Sequence, residues 1–170
     1  VGVGLTVKTG SAKDVITLTQ AATVDAGAGD DIITSAAAGG TFTGGAGNDK
    51  FDIKAAVATG ATEATAIYAT ITDIAVGDTI VFNAAGTGFT GTKIALDATV
   101  TNLDLALAAA SNNTTAGQIT WFQYGANTYI VENVDGTTGI DAGDVAIKLT
   151  GLIDLSNATY NATTDILTIA

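Results

Sequence analysis

AGAGDDIITSAAAGGTFTGGAGNDKFD, the stretch from Ala26 to Asp52, decides the fold of this 170-residue chain. It divides into nines. Gly44-Gly45-Ala46-Gly47-Asn48-Asp49-Lys50-Phe51-Asp52 has glycine at the first, second and fourth positions, aspartate at the sixth and a large apolar residue at the eighth. Ala26 to Thr34 repeats the pattern and misses only the first glycine. Ser35 to Thr43, between them, keeps the length and the apolar position at Phe42, with Gly40 where the aspartate belongs. Each nine supplies a short strand with one inward apolar side chain and then a tight turn, so two nines close one coil of a flattened parallel helix.

On that reading, turns on one edge recur every 18 residues, and Asp31 and Asp49 stack at that spacing. Neighbouring strands lie roughly 4.8 Å apart. Two carboxylates at that distance repel by roughly 3–4 kcal/mol at an effective dielectric of about 20. A hard divalent cation removes the penalty. Calcium takes six to eight oxygen ligands, and glycine turns with positive φ expose backbone carbonyls. The expected ligand set is therefore Asp30, Asp31, Asn48 and Asp49, with Ala26, Ala28, Gly44 and Ala46 in the turns. The alternative is that these aspartates only punctuate turns, where Asp and Gly are common.

The register extends upstream. Thr9 to Thr17 is a worn nine that keeps Gly10, Asp14 and Ile16. Inward positions then run Val7, Ile16, Val24, Ile33, Phe42 and Phe51, which makes about three coils. Asp14, Asp31 and Asp49 would line one edge and hold two calcium ions. The opposite edge, Gln20 to Ala22 and Ser35 to Gly40, carries no carboxylate and is expected to bind none.

Composition narrows the function. The net charge is −11, from 17 acidic residues and six bases. All six bases are lysine, so nucleic acid and anionic membrane surfaces are poor partners. No apolar run approaches a membrane span. The chain has no Cys, no His, no Met and no Pro. It therefore lacks disulfides, thiolate or imidazole zinc ligands and the usual general base, and no nucleophile elbow is present, so it is not expected to be an enzyme. An acidic, cysteine-free, calcium-dependent chain suits export to a calcium-rich exterior. The start at Val1 shows no cleavable signal, and the chain reads as the C-terminal piece of a longer polypeptide.

Beyond the coils, Val1 to Lys8 alternates and enters as a strand, and Ala55 to Thr65 reads as a loop or short weak helix. Ala66 to Phe82 holds two strand-like runs joined by a turn at Val76-Gly77-Asp78. Asp97 to Asn112 is a helix, with Val100, Leu103 and Leu107 on one face and Thr99, Thr101 or Asn102 as its cap. Gln118 to Val134 is a hairpin around Tyr124-Gly125-Ala126-Asn127; its aromatics Trp121, Phe122, Tyr124 and Tyr129 read as core rather than as a sugar platform. Val145 to Leu149, Leu152 to Leu155 and Ile166 to Ile169 read as closing strands. Glu132, Asp135, Asp141 and Asp144, with glycine turns between them, form a second acidic group that could wrap a third calcium or could be a solvated turn. The expected fold is mainly β: a short parallel β-roll over residues 1–54, then a β-rich C-terminal region with one helix over 55–170.

The full nine at Gly44 to Asp52 is the known calcium-binding signature of RTX proteins. Ile71-Thr72-Asp73-Ile74 followed by Gly77-Asp78-Thr79-Ile80-Val81-Phe82 resembles the segment that closes their roll, with Ile74 where an aromatic residue is usual. The Thr/Ala-rich, lysine-poor, cysteine-free character resembles bacterial S-layer proteins of that class. Few glycines in the first nine and the blank turn at Ser35 to Gly40 depart from the family and argue against a long, two-edged calcium ladder. The resemblance implies type I secretion through an uncleaved signal in the last tens of residues, where Thr164 to Ala170 has an acidic-then-aliphatic character. It also implies a place on the bacterial cell surface, calcium-dependent assembly with copies of itself, and attachment to surface polysaccharide through an upstream part. The same features fit the C-terminal folding domain of an RTX adhesin, or the tail of a secreted hydrolase.

Overall fold

A computed structural model describes residues 4–54, 69–83, 87–112, 115–141 and 143–170. The expected segment at 55–65 lies outside these. Among the described residues the chain is mainly β, with parallel strands in both of its sheets and one helix.

Six strands arise from the nines: β1 (Leu5–Lys8), β2 (Val15–Thr17), β3 (Ala22–Asp25), β4 (Ile32–Thr34), β5 (Gly40–Thr43) and β6 (Lys50–Asp52). They alternate between two sheets. In one, Val7 sits beside Val24 and Val24 beside Phe42; in the other, Ile16 sits beside Ile33 and Ile33 beside Phe51. The side chains expected to point inward form the columns between the sheets, with Val24, Ile33, Phe42 and Phe51 all buried. Coiling continues past residue 54. β7 (Ala69–Ile71) and β8 (Thr79–Val81) add a fourth coil in the same register, Ile71 beside Phe42 and Ile80 beside Phe51.

The C-terminal strands extend both sheets. β9 (Gly88–Phe89), β10 (Gln118–Tyr124), β11 (Asn127–Asn133) and β12 (Val145–Thr150) complete an eight-stranded sheet in the order β1-β3-β5-β7-β12-β11-β10-β9. β13 (Thr159–Asn161) and β14 (Ile166–Thr168) complete a six-stranded sheet in the order β13-β14-β8-β6-β4-β2. β10 and β11 form the expected hairpin, with Tyr124 opposite Asn127 and Gly125 at φ 59°, as a type II′ turn requires of its first residue.

Helix α1 (Leu103–Asn112) is shorter than the sequence pattern indicated. Asp97 instead accepts the backbone N–H of Thr99 at 2.6 Å in a local turn, and Asn102 Oδ1 caps the helix by accepting the Leu105 N–H at 2.9 Å. Leu103, Ala106, Leu107 and Ala110 cover the outer face of β10 to β12, where Phe122 and Tyr129 stack with centroids 5.2 Å apart. Trp121 alternates to the opposite face, between the sheets, and donates its indole N–H to Gly91 O at 3.0 Å. Trp121, Phe122 and Tyr129 are core, and Tyr124 packs half-buried against the cluster that holds Phe122 and Tyr129. Leu152 to Leu155 is not a strand: Thr128 Oγ1 and the Gln123 side chain satisfy the backbone of Ile153 in place of a ladder.

Candidate metal centres

Four turns stack on one edge of the coils. Asp14, Asp31, Asp49 and Asp78 occupy equivalent places, each two residues before an inward apolar side chain: Ile16, Ile33, Phe51 and Ile80. The stack is hydrogen-bonded in one direction. Asp14 N–H donates to Asp31 Oδ1 at 2.7 Å, Asp31 N–H to Asp49 Oδ1 at 2.9 Å and Asp49 N–H to Asp78 Oδ1 at 2.8 Å. One oxygen each of Asp31, Asp49 and Asp78 is therefore neutralised in part by the coil behind it, a relief that repulsion between bare carboxylates leaves out.

The second oxygen is different. Asp31 and Asp49 are each 1% exposed, and Oδ2 of both is buried with no hydrogen-bond partner. Burial is the main force pushing the Asp49 carboxyl above its ordinary range; the N–H of Asp31 opposes it, and the charges of Asp78, Asp31 and Asp73 add to it. Burial likewise raises Asp78, against the N–H groups of Asp49 and Ala75. A buried carboxylate oxygen without a donor calls for a proton or a cation.

Glycine makes these turns possible. Gly27 and Gly45 both have φ +100°, and a methyl group on Gly45 would lie 1.8 Å from the carbonyl oxygen of Gly27. Ala28 and Ala46 bridge between successive turns; Ala28 N–H donates to Gly10 O and Ala46 N–H to Gly27 O, both at 2.9 Å. Asp30 is exposed and accepts the Asn48 N–H at 2.9 Å, while Asn48 is itself exposed at the turn surface. Asp73 accepts the N–H groups of Gly44 and Gly45 at 3.0 and 2.7 Å, closing the last nine. The edge thus brings together Asp14, Ala26, Ala28, Asp30, Asp31, Gly44, Ala46, Asn48 and Asp49, with Ala26 and Gly44 buried beneath the turn. It adds Asp73 and Asp78. The Asp-x-apolar spacing of Asp78 and Ile80 was the available signal for a fourth rung.

The second acidic group lies in the loop from β11 to β12. Carboxylate oxygens of Asp135, Asp141 and Asp144 all fall within 4.8 Å of one another, so three aspartates could hold a metal ion there. Asn133, fully buried, organises the loop: its Oδ1 accepts the Gly136 N–H at 2.6 Å and its Nδ2 donates to Thr137 O at 2.9 Å. Thr137 Oγ1 donates to Asp135 Oδ1 at 2.8 Å and contacts Asp141 Oδ2. Hydrogen bonds from Thr137 lower the Asp135 carboxyl, whereas burial raises that of Asp144. Glu132 does not join this group. Strand alternation turns it to the face shared by its neighbours Ile119 and Val145, which belong to the core between the sheets.

In comparisons with known protein families and with curated proteins, the chain matches none. No helix among the described residues is long and apolar enough to cross a membrane.

Proposed function

We propose that this chain is a calcium-responsive folding and assembly module of a secreted bacterial surface layer, of the RTX type exported by type I secretion. The observation that carries the calcium reading is the pair of buried, donorless oxygens, Asp31 Oδ2 and Asp49 Oδ2, on a turn stack rich in backbone carbonyls. Oxygen-only donor sets suit calcium, and the aspartates of the 135–144 loop offer it a further place. In a calcium-poor cytosol the uncompensated carboxylates hold the chain loose; outside, calcium supplies the missing interaction and the coils close. At ten times its dissociation constant, each ion bound only by the folded state adds about 1.4 kcal/mol. Two or three such ions weigh heavily in a domain whose whole stability is on the order of 5–15 kcal/mol.

A calcium titration followed by circular dichroism and light scattering on one sample tests this, with Asp31→Ala/Asp49→Ala as control. The expected result is β-structure that depends on calcium, fails in the control, and is followed by ordered particles. A protein fully folded in chelator and monomeric with calcium overturns it. Folding without assembly keeps the calcium switch and replaces the surface layer by an adhesin or hydrolase tail.

A further inference from the structure

We propose that a cavity at the β9 edge of the eight-stranded sheet binds a neutral, hydroxyl-rich ligand, a saccharide unit. The cavity holds about 630 Å³, and three segments line it: Gly91 to Lys93 after β9, Trp121 and Gln123 on β10, and Asp154 and Ser156 after β12. That volume falls inside the roughly 300–1,000 Å³ of small-molecule sites. The cavity shares no residue with the turn stack or with the 135–144 loop.

Hydrogen bonds fix all three walls. Thr90 N–H donates to Ile119 O and Ile94 N–H to Trp121 O, both at 2.9 Å, so the chain from Gly91 to Lys93 bulges from the edge of β10. The Trp121 indole holds the base of that bulge through Gly91 O. A Cβ on Gly91 would lie 3.1 Å from Ser156 O, so glycine lets the bulge and the segment after β12 meet. Gln123 ties the walls together: its Nε2 donates to Ile153 O at 3.1 Å, and its Oε1 accepts from Lys93 Nζ at 2.9 Å. Lys93 Nζ also stands 6.0 Å from the centre of the Trp121 ring, at the outer reach of a cation–π contact. Ser156 N–H donates to Asp154 Oδ1 at 2.9 Å. That N–H, then the Ser156 hydroxyl, and Lys93 more weakly, hold the Asp154 carboxyl below its ordinary range.

These groups are positioned before any ligand arrives, yet keep capacity to spare. Lys93 spends only part of its donor capacity on Gln123, a carboxylate has several lone pairs, and the hydroxyls of Thr92 and Ser156 can give or take. An anion would meet Asp154 on a chain of net charge −11, and a cation would meet Lys93. An apolar ligand would strip water from all of them and return no hydrogen bond. A neutral ring with several hydroxyls suits both signs, one hydroxyl accepting from Lys93 and a neighbour donating to Asp154.

Trp121 is the only tryptophan of the chain, so its emission reports on this cavity. The full chain, under conditions where circular dichroism shows it folded, is titrated with glucose, galactose, mannose and N-acetylglucosamine, and with glucuronate and cyclohexanol for comparison. A saturable change with at least one neutral sugar is expected, weaker with glucuronate and absent with cyclohexanol. Lys93→Met keeps the aliphatic stem beside Trp121, and Asp154→Asn keeps an acceptor for the Ser156 N–H. Each should raise the dissociation constant roughly tenfold or more at unchanged circular dichroism, as loss of a hydrogen bond to a charged group does. Lys13→Met, at an exposed lysine outside the cavity, should leave it unchanged. No saturable change with any neutral sugar overturns the proposal, as does undiminished affinity in Lys93→Met and Asp154→Asn, or tighter binding of glucuronate or cyclohexanol.

Discussion

Asp49 faces opposite demands on its two oxygens: Oδ1 is served by the Asp31 N–H, whereas Oδ2 is buried and unserved. Raised carboxyl groups at Asp49 and Asp78 mean that the folded, calcium-free protein holds protons more tightly than the unfolded chain. Stability in chelator should therefore fall as pH rises from the ordinary carboxylate value through the raised ones. With calcium the sign reverses, because the ion needs the ionised form. Thermal midpoints with and without calcium should meet at about pH 4 and separate as pH rises, the chelated protein losing its folded state toward neutral pH, and Asp49→Asn should weaken both slopes while losing most of the calcium-induced rise. Glu132 adds a window of its own, from the ordinary glutamate value of 4.5 to about 8, because burial raises its carboxyl. In chelator its ionisation costs roughly 3–5 kcal/mol across that interval. Glu132→Gln should remove that part of the fall, and an unchanged pH profile would show the carboxyl is not strained. Gly45 belongs to the same scale. Gly45→Ala combines a positive φ with a 1.8 Å approach to backbone, and a loss of roughly 2–5 kcal/mol is expected in denaturant melts.

At the scale of elements, α1 depends on one side chain at its start. Asn102→Ala removes the acceptor for the Leu105 N–H and should cost about 1 kcal/mol, read as a lower denaturation midpoint at constant m-value. The elements also show what the sequence could and could not convey. The strands β1 to β6 were legible because an inward apolar side chain recurs every eight or nine residues, with an aspartate two residues before it in β2, β4 and β6. Asp78 and Ile80 obey the same local rule, but the chain between Lys54 and Ala69 breaks the count of nine and hides the fourth coil. Glu132 was grouped with the loop aspartates by its nearness in sequence, although alternation with Ile130 and Val131 already separates the two faces of β11. Leu152 to Leu155 alternates like a strand, yet Thr128 and Gln123 reach its backbone first. Such long-range side-chain claims leave no periodic trace.

Across the whole molecule the two sheets share a core that runs from Ile16 and Val24 in the coils to Trp121, Ile147 and Leu167 in the C-terminal strands. The coils at the β1 and β2 end are open on one side, with Leu5 41% and Val15 68% exposed. At the other end β7 and β8 are clasped by β12 and β14. Amide hydrogen exchange should therefore slow along the series from β1 and β2 through β5 and β6 to β7 and β8, and uniform protection across the coils would contradict that gradient. The clasp has a kinetic meaning too. Each coil touches only the coil before and after it, so its contacts close short loops, and adding a coil to an existing one is fast. The pairings of Ile71 with Leu149 and of Thr79 with Thr168 join the middle of the chain to its end. Those distant meetings set the pace. Once β12 and β14 seat on β7 and β8, the rest of the roll has a template to wind upon, so the last residues of the chain hold the starting point of a structure whose periodic code is written near its beginning.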